Sequence, residues 1–258
     1  MLLAIDSGNT NAVFAVYEGD ALRASWRIST NARRTADEYA IWLTQLLSLA
    51  NLKPADIDAA IIGNVVPEAM FSLIQLCQRY LGCEPLVVGR DNCRVAIGID
   101  VDMLARDVGA DRVANSVAAG DRHKPPLMVV DFGTATNFDV VDRQGNYCGG
   151  VIAPGPNLSL QALEMAAAQL PHVALVRPPK VVGRATVPAM QSGVFWGYVG
   201  LVEGIVRRIR EERDEAMEVV ATGGLAPLFA GATEMIDKVD PDLTLWGLRL
   251  IYRHNSNR

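Results

Sequence analysis

The middle of the chain reads MVVDFGTATNFDVV from Met128 to Val141. Apolar and β-branched residues lead to Asp131, a glycine and two threonines follow, and a second apolar run then begins. This order predicts a β-hairpin whose turn presents backbone N–H groups and hydroxyls beside a carboxylate. Such a turn suits the phosphates of a nucleotide, which amides and hydroxyls would bind, and a cation, which the carboxylate would hold.

The N-terminus repeats this pattern. Residues 2–16 read LLAIDSGNTNAVFAV, which is again a strand, an Asp-x-Gly-x-Thr turn at Asp6, Gly8 and Thr10, and a second strand. One copy alone could be an ordinary polar β-turn, because turns favour Asp and Gly. Two copies about half a chain apart predict an internally duplicated α/β fold that clamps a nucleotide in a cleft between its halves.

Composition narrows the class of protein. The chain has 258 residues, of which 50% are hydrophobic and 21% charged, as in ordinary soluble globular enzymes. Its formal net charge of −5, without a basic block, argues against nucleic acid as a partner. No apolar run approaches the roughly 20 residues that cross a bilayer, and a strand starts directly at the N-terminus, so we expect neither a membrane contact nor a signal peptide.

Cysteine and histidine usage bears on the redox compartment and on metal binding. The four cysteines form no C-x-x-C pair, and the three histidines have no ligand-like spacing. We therefore expect free thiols in a reducing cytoplasm and no histidine zinc site.

The remaining pattern predicts helices packed on two mixed sheets. Thr35 to Glu38 fits a capping box ahead of a helix with apolar residues at helical spacing. Further helices are expected from Pro67, from Gly109, over Leu160 to Leu170, from about Pro188 and from about Pro241. The sequence His123-Lys124-Pro125-Pro126 interrupts the pattern. We place the boundary there, which gives an N-terminal half of residues 1–122 and a C-terminal half of residues 123–258.

Three more motifs permit both a functional and a structural interpretation. Thr222-Gly223-Gly224 could admit a nucleotide at a helix N-terminus or could be a tight turn. Asp111 and Arg112 at a helix start could be a dipole partner and a surface ion pair. They also supply the carboxylate and the cation that phosphoryl transfer to an alcohol requires. Thr186 is best explained as the N-cap of a long helix with Pro188 in its first turn.

Taken together, these motifs resemble the type III pantothenate kinases. Asp-x-Gly-x-Thr alone marks the wider superfamily of sugar kinases, Hsp70 chaperones and actin, whereas Gly-Ala-Asp-Arg followed by Asp-Phe-Gly-Thr-Ala-Thr is far more specific. The matching segments span nearly the whole chain and occur in the family's order: Asp6–Thr10, Gly109–Arg112, Asp131–Thr136, Gly149–Gly155, Thr186 with Met190–Gly193, and Thr222–Gly224.

The resemblance implies a duplicated ribonuclease H-like (actin-like ATPase) fold with a mixed five-stranded sheet in each half. It implies ATP-dependent phosphorylation of pantothenate at its primary hydroxyl to 4'-phosphopantothenate, the first step of coenzyme A biosynthesis. It also implies a homodimer. Two alternatives stay open: another small-molecule kinase or a phosphatase of the same superfamily, and a catalytically silent nucleotide-binding relative, since related chains have been named as accessory transcription factors.

The resemblance also implies roles for individual residues. Asp111 would be the general base, and Asp131 would hold a monovalent cation, K⁺ or NH4⁺, while Mg²⁺ accompanies ATP. ATP would be bound by Asp6, Ser7, Gly8, Asn9, Thr10, Asn11, Ala12, Val13 and Thr134. Pantothenate would be bound by Gly109, Ala110, Asp111, Arg112 and Thr186. Relatives often carry a Tyr shortly before the Gly-x-Asp-Arg motif, whereas residues 98–103 here read GIDVDM.

Overall fold

The first predicted hairpin lies at the centre of a five-stranded mixed sheet. In the computed structural model, which describes residues 1–100, 107–166 and 171–256, β1 (Leu2–Ser7) pairs antiparallel with β2 (Asn11–Glu18). The outer strand β3 (Ala21–Ser29) pairs with β2, while β4 (Ala59–Asn64) runs parallel to β1 and to β5 (Leu86–Val87). The strand order is β3-β2-β1-β4-β5.

The second predicted hairpin repeats this arrangement. Its strands β7 (Leu127–Phe132) and β8 (Ala135–Val141) are antiparallel, and β9 (Asn146–Pro154) continues from β8. On the other side of β7, β10 (Glu218–Thr222) and then β11 (Lys238–Val239) run parallel to it. The order β9-β8-β7-β10-β11 repeats β3-β2-β1-β4-β5, although the second sheet has six strands, so the expectation of five strands in each sheet was wrong for the second. The predicted duplication of a mixed α/β sheet is therefore confirmed.

The remaining elements are helices and one short strand. The α-helices are α1 (Ala36–Leu49), α2 (Met70–Leu76), α3 (Ala110–Arg122), α4 (Pro156–Ala166), α5 (Thr186–Arg213), α6 (Ala226–Ala230) and α7 (Leu243–Ser256). The short strand β6 (Gly98–Ile99) lies between α2 and α3 in the sequence. Of the predicted helix over Leu160 to Leu170, positions 167–170 lie outside the described residues. In the described part of the chain, none of the helices has both the length and the apolar composition that crossing a bilayer requires.

Local sequence explains how α1 begins and where it packs. The predicted capping box is confirmed: the Glu38 amide donates to Thr35 Oγ1 at 3.3 Å, and the Thr35 amide donates to Glu38 Oε2 at 2.7 Å. Tyr39 and Leu43 from the inner face of α1 are buried in a core with Phe14 of β2. Burial of this apolar face holds the helix on the first sheet.

The contacts divide the chain into two compact units. The first unit is Met1–Asp121 together with Leu243–Arg258, and the second unit is Arg122–Asp242. The predicted halves, 1–122 and 123–258, differ from these units in the last helix, which belongs to the first unit. The reason is close packing: a Cβ on Gly247 of α7 would lie 1.9 Å from the Ala114 carbonyl oxygen of α3. The limits of the two duplicated halves themselves stay a prediction.

Candidate active site

The turn of the second hairpin is short and exposes its backbone. Asp131 pairs with Asn137 and Phe132 with Thr136, which leaves three residues, 133–135, to make the turn. The Gly133 amide donates to the Ala135 carbonyl at 3.0 Å, and Gly133 and Thr134 are both exposed. The turn therefore presents peptide groups and the region of the Thr134 side chain to solvent, as an anion site requires.

Gly155 lies directly against this turn. Its amide donates to the Thr134 carbonyl oxygen at 2.9 Å. A Cβ at this position would lie 2.3 Å from the Thr134 oxygen and 2.5 Å from the Gly133 oxygen. Only glycine fits such an approach of two backbones. The connection from β9 to α4 thus packs against the Gly133–Thr134 peptide and sets its position.

Gly223 takes the corresponding place beside Asp131. Its φ is +88°, in the region that favours glycine, and a Cβ there would lie 2.6 Å from Asp131 Oδ1 and 2.7 Å from the Phe132 carbonyl oxygen. A carboxylate oxygen and a carbonyl oxygen therefore both lie close to Gly223. Oxygen donors of this kind suit hard cations, so the residues fit the implied monovalent cation.

The motif at Thr222 to Gly224 is only partly as predicted. It ends β10, and Thr222 pairs with Asp131 in the adjacent strand. The helix after it, however, starts at Ala226 and has only five residues. Of the two interpretations, the tight turn therefore describes the glycines better, and the contribution of Gly223 is its close approach to Asp131.

The turn of the first hairpin is one residue longer than its counterpart. Ser7 pairs with Ala12, which leaves the four residues 8–11. The Gly8 amide donates to the Asn11 carbonyl at 3.0 Å. Thr30, just after β3, donates from Oγ1 to the Gly8 carbonyl at 2.6 Å and from its amide to the Thr10 carbonyl at 2.9 Å. Thr30 therefore fixes the shape of this turn, a role that the sequence analysis missed.

The predicted ATP-binding residues of the first turn differ in accessibility. Asn9 and Thr10 are exposed, so their side chains could reach a ligand. Ser7 and Ala12 are buried, with 1% and 0% of their surfaces exposed. Ala12 could therefore contribute only backbone groups. Asp6, Gly8, Asn11 and Val13 are half-buried.

The start of α3 lies beside the first turn within the first unit. Asp6 of β1 pairs with Gly63 of β4. Gly63 in turn faces α3, because a Cβ built on it would lie 3.7 Å from the Cβ of Ala110. The first unit thus brings the predicted ATP residues near Asp6 and the predicted substrate residues near Asp111 to the same end of its central strands.

Asp111 lies in the first turn of α3, and its carboxylate bonds to the backbone of the same turn. Its Oδ1 accepts the Arg112 amide at 2.8 Å. A Cβ on Gly109 would lie 2.8 Å from that same oxygen, so glycine at 109 leaves room for the carboxylate. Burial raises the pKa of Asp111 above its ordinary value, although the Arg112 amide and the Arg112 charge both lower it. The geometry therefore yields a fixed carboxylate that is more basic than usual.

Thr186 does not cap α5. The N-cap position is Ala185, which has extended backbone angles and makes no side-chain cap, and Thr186 is already the first helical residue. The prediction that Thr186 is the N-cap was therefore wrong, whereas Pro188 does lie in the first turn. Thr186 is exposed, and its hydroxyl is not used as a cap.

The long segment before α5 is held against neighbouring helices. Gln191 of α5 donates to the Ala174 carbonyl at 3.0 Å, and Ser192 donates to the Val181 carbonyl. On α4, Glu164 accepts the Val173 amide at 2.8 Å. These bonds place the segment that leads to Thr186, in which the described residues 171–185 form neither helix nor strand.

A family model described as type III pantothenate kinase matches residues 2–208. A type III pantothenate kinase from Paramagnetospirillum magneticum is 63% identical over 256 residues, covering 99% of this chain and 98% of its own length.

Two solved structures share the fold at low sequence identity. One, assigned to the Baf family of transcriptional activators from Campylobacter jejuni, has a TM-score of 0.61 at 20% identity and covers 99% of this chain and 100% of its own. Another, assigned as a 2-dehydro-3-deoxygalactonokinase from Sinorhizobium meliloti, has a TM-score of 0.59 at 13% identity and covers 100% of this chain and 98% of its own. Both show the fold alone, which is that of actin-like ATPases and sugar kinases.

Proposed function

The chain belongs to the type III pantothenate kinase family, and we propose how its residues carry the ATP-dependent phosphorylation of pantothenate. The product is 4'-phosphopantothenate, made in the first step of coenzyme A biosynthesis. The full-length match at 63% identity supports this activity above all other observations. The residue roles below rest on the local geometry.

We assign the role of general base to Asp111. Its Oδ1 is held by the Arg112 amide at 2.8 Å, so Oδ2 is the oxygen that would accept the proton of the pantothenate hydroxyl. Its raised pKa makes it a better proton acceptor than an ordinary Asp. Arg112, beside it, would neutralise charge on the substrate carboxylate or on the transferred phosphoryl group. Gly109, Ala110 and Thr186 would complete the pantothenate site.

We assign the phosphates of ATP to the two hairpin turns. Residues Asp6 to Val13 would bind them through backbone amides and the side chains of Asn9 and Thr10, and Thr134 would bind them from the second turn. Asp6 would hold Mg²⁺ through water. The exposed peptide groups at Gly133 and Thr134, which Gly155 holds in place, support the second assignment.

We assign the monovalent cation, K⁺ or NH4⁺, to Asp131. The closeness of Asp131 Oδ1 and the Phe132 carbonyl oxygen to the same residue, Gly223, supports this site. A cation bound there would supply positive charge close to the phosphate-binding turn.

The cation assignment predicts a specific salt dependence. With pantothenate, ATP and Mg²⁺ in a coupled assay, activity should collapse in sodium-only buffer and return when potassium or ammonium is added. Asp131→Asn should lose this response, because it removes the charge that holds the ion. Equal rates in sodium and in potassium would contradict the assignment of Asp131.

We also propose that the protein is a cytoplasmic homodimer. Large apolar side chains are exposed around α4 and the start of α5, among them Met165 at 84%, Val182 at 79% and Val181 at 63%. Exposed apolar side chains are found at protein–protein interfaces, and this supports the proposal. Light scattering after size-exclusion chromatography should give twice the 27.9 kDa of one chain. A mass of one chain at micromolar concentration would refute the dimer.

The alternatives make different predictions in the same assay. Another small-molecule kinase would prefer acetate or a sugar in a panel of phosphate acceptors, and a phosphatase would consume no ATP for transfer. A silent relative would bind ATP without turnover. The chain contains both Asp111 and Arg112, and a silent relative would have less reason to keep this pair, which favours the active enzyme.

A further inference from the structure

Tyr198 connects α5 to the connection between β9 and α4. The residue is buried, with 6% of its surface exposed, and its ring lies 6.1 Å from that of Phe229 in the core of the second unit. Its hydroxyl donates to the Pro154 carbonyl at 2.6 Å. The Ser159 hydroxyl lies 2.6 Å from the Tyr198 hydroxyl oxygen. Because a carbonyl can only accept, Tyr198 uses its proton on Pro154, and Ser159 must be the donor to Tyr198.

These two hydrogen bonds involve residues on both sides of Gly155 in the sequence. Pro154 is the residue before Gly155 and the last of β9, and Ser159 lies in the first turn of α4. The Ser159 amide also donates to the Gly155 carbonyl at 2.9 Å. Gly155 itself donates to the Thr134 carbonyl. A continuous path of hydrogen bonds therefore runs from the Tyr198 hydroxyl to the turn that carries Thr134.

We propose that Tyr198 is a positioning residue for the ATP-binding turn: its hydroxyl fixes Pro154 and Gly155, and Gly155 fixes the Gly133–Thr134 peptide. The proposal rests on the proposed function of that turn. Binding groups must be held to within about 0.5 Å to be effective. Gly155 can position the Gly133–Thr134 peptide this closely only when its own backbone is held in place. The aromatic ring fills the core, so the hydroxyl is the part of Tyr198 that acts on the site.

Burial supports this assignment of the proton. It raises the pKa of the Tyr198 hydroxyl above its ordinary value, although the bond from Ser159 lowers it. The phenol therefore stays protonated at neutral pH and keeps its bond to Pro154.

Tyr198→Phe tests the proposal because it removes one oxygen and keeps the ring. We expect the KM for ATP, and the ATP dissociation constant measured by calorimetry, to rise about fivefold to tenfold, as for a lost hydrogen bond. The KM for pantothenate and kcat at saturating ATP should stay near wild type. Ser159→Ala, which disturbs the same oxygen from the other side, should change the KM for ATP in the same direction by a smaller factor.

Tyr147→Phe is the matched control. It also removes a buried tyrosine hydroxyl on the second sheet, but that hydroxyl donates to Asp139 Oδ1 at 3.1 Å, not to the connection at Gly155. We expect its KM for ATP to stay at the wild-type value even if its Tm falls. If Tyr198→Phe does not fold, the KM for ATP of Ser159→Ala decides the question.

The outcomes separate this proposal from the function of the turn. A wild-type KM for ATP in Tyr198→Phe, or in Ser159→Ala where the first variant does not fold, overturns the positioning role if Thr134→Ala is impaired. A general loss in Tyr198→Phe, with Tm, kcat and both KM values changed together, also overturns it. If Thr134→Ala binds ATP as tightly as wild type, the ATP assignment of the turn itself fails, whatever Tyr198→Phe shows.

Discussion

Asp111→Asn is expected to fold normally and to lose at least about 10²-fold to 10⁴-fold in kcat, the usual contribution of a positioned general base. The amide has the same shape and can still accept the Arg112 amide through its oxygen. It cannot accept the proton of the pantothenate hydroxyl. Steady-state kinetics with saturating ATP and pantothenate measure the loss, and circular dichroism confirms the fold.

The raised pKa of Asp111 also predicts how the Asp111→Asn substitution changes the stability of the fold. Burial favours the neutral carboxyl, so between the unfolded pKa and the raised folded pKa the folded state binds more protons than the unfolded state. The stability contributed by this group is therefore present at low pH and lost as pH rises through the folded pKa. At neutral pH the ionised carboxylate is a cost, so Asp111→Asn should be at least as stable as wild type.

The same shift sets the pH dependence of catalysis. The base must be ionised, so kcat/KM of the wild type should fall on the acidic side with a midpoint above that of an ordinary Asp. Asp107→Asn is the control, because Asp107 is an exposed carboxylate four residues earlier. It should retain wild-type turnover. Near wild-type turnover in Asp111→Asn would remove Asp111 from the role of base.

Gly155→Ala is expected to have the second large effect, on ATP binding. The added methyl would lie 2.3 Å from the Thr134 oxygen and 2.5 Å from the Gly133 oxygen, so one of the two backbones must move. Forced contacts of this kind cost about 1–3 kcal/mol, and here the cost would fall on the turn to which we assign the phosphates of ATP. We expect the KM for ATP to rise by about tenfold or more, with a lower Tm.

Gly200→Ala is the control for this variant. Gly200 is exposed in the middle of α5, and a Cβ there would meet no atom within 4 Å. Replacing a helical glycine by alanine without a clash is neutral or stabilising by up to about 1 kcal/mol. A Gly155→Ala variant with the ATP kinetics of Gly200→Ala would show that the contact does not set the turn.

Features carried by a few neighbouring residues could be predicted from the sequence. The capping box at Thr35 and Glu38 depends on two side chains three positions apart, and it is present. The two hairpins combine apolar alternation with a glycine turn, and both form as predicted. Duplication then followed from their similarity, and the repeated strand order confirms it.

Features that depend on distant parts of the chain could not be predicted in this way. Gly223 approaches Asp131 across 92 positions of sequence, and no local pattern indicates that contact. The last helix joins the first unit because Gly247 packs on Ala114, which is also a long-range contact. Thr186 illustrates a smaller limit: a threonine before a helix is a usual N-cap, but the backbone at Ala185 shifts the start by one residue.

The ATP dissociation constants of Thr10→Ala and Thr134→Ala, measured by calorimetry against wild type, test most directly whether each of the two turns takes part in binding ATP. A hydrogen bond to a charged phosphate is worth about 1.5–3 kcal/mol, so each variant should bind ATP at least about tenfold more weakly. Wild-type affinity in either variant would contradict the account, because one of the two turns would then take no part in holding ATP.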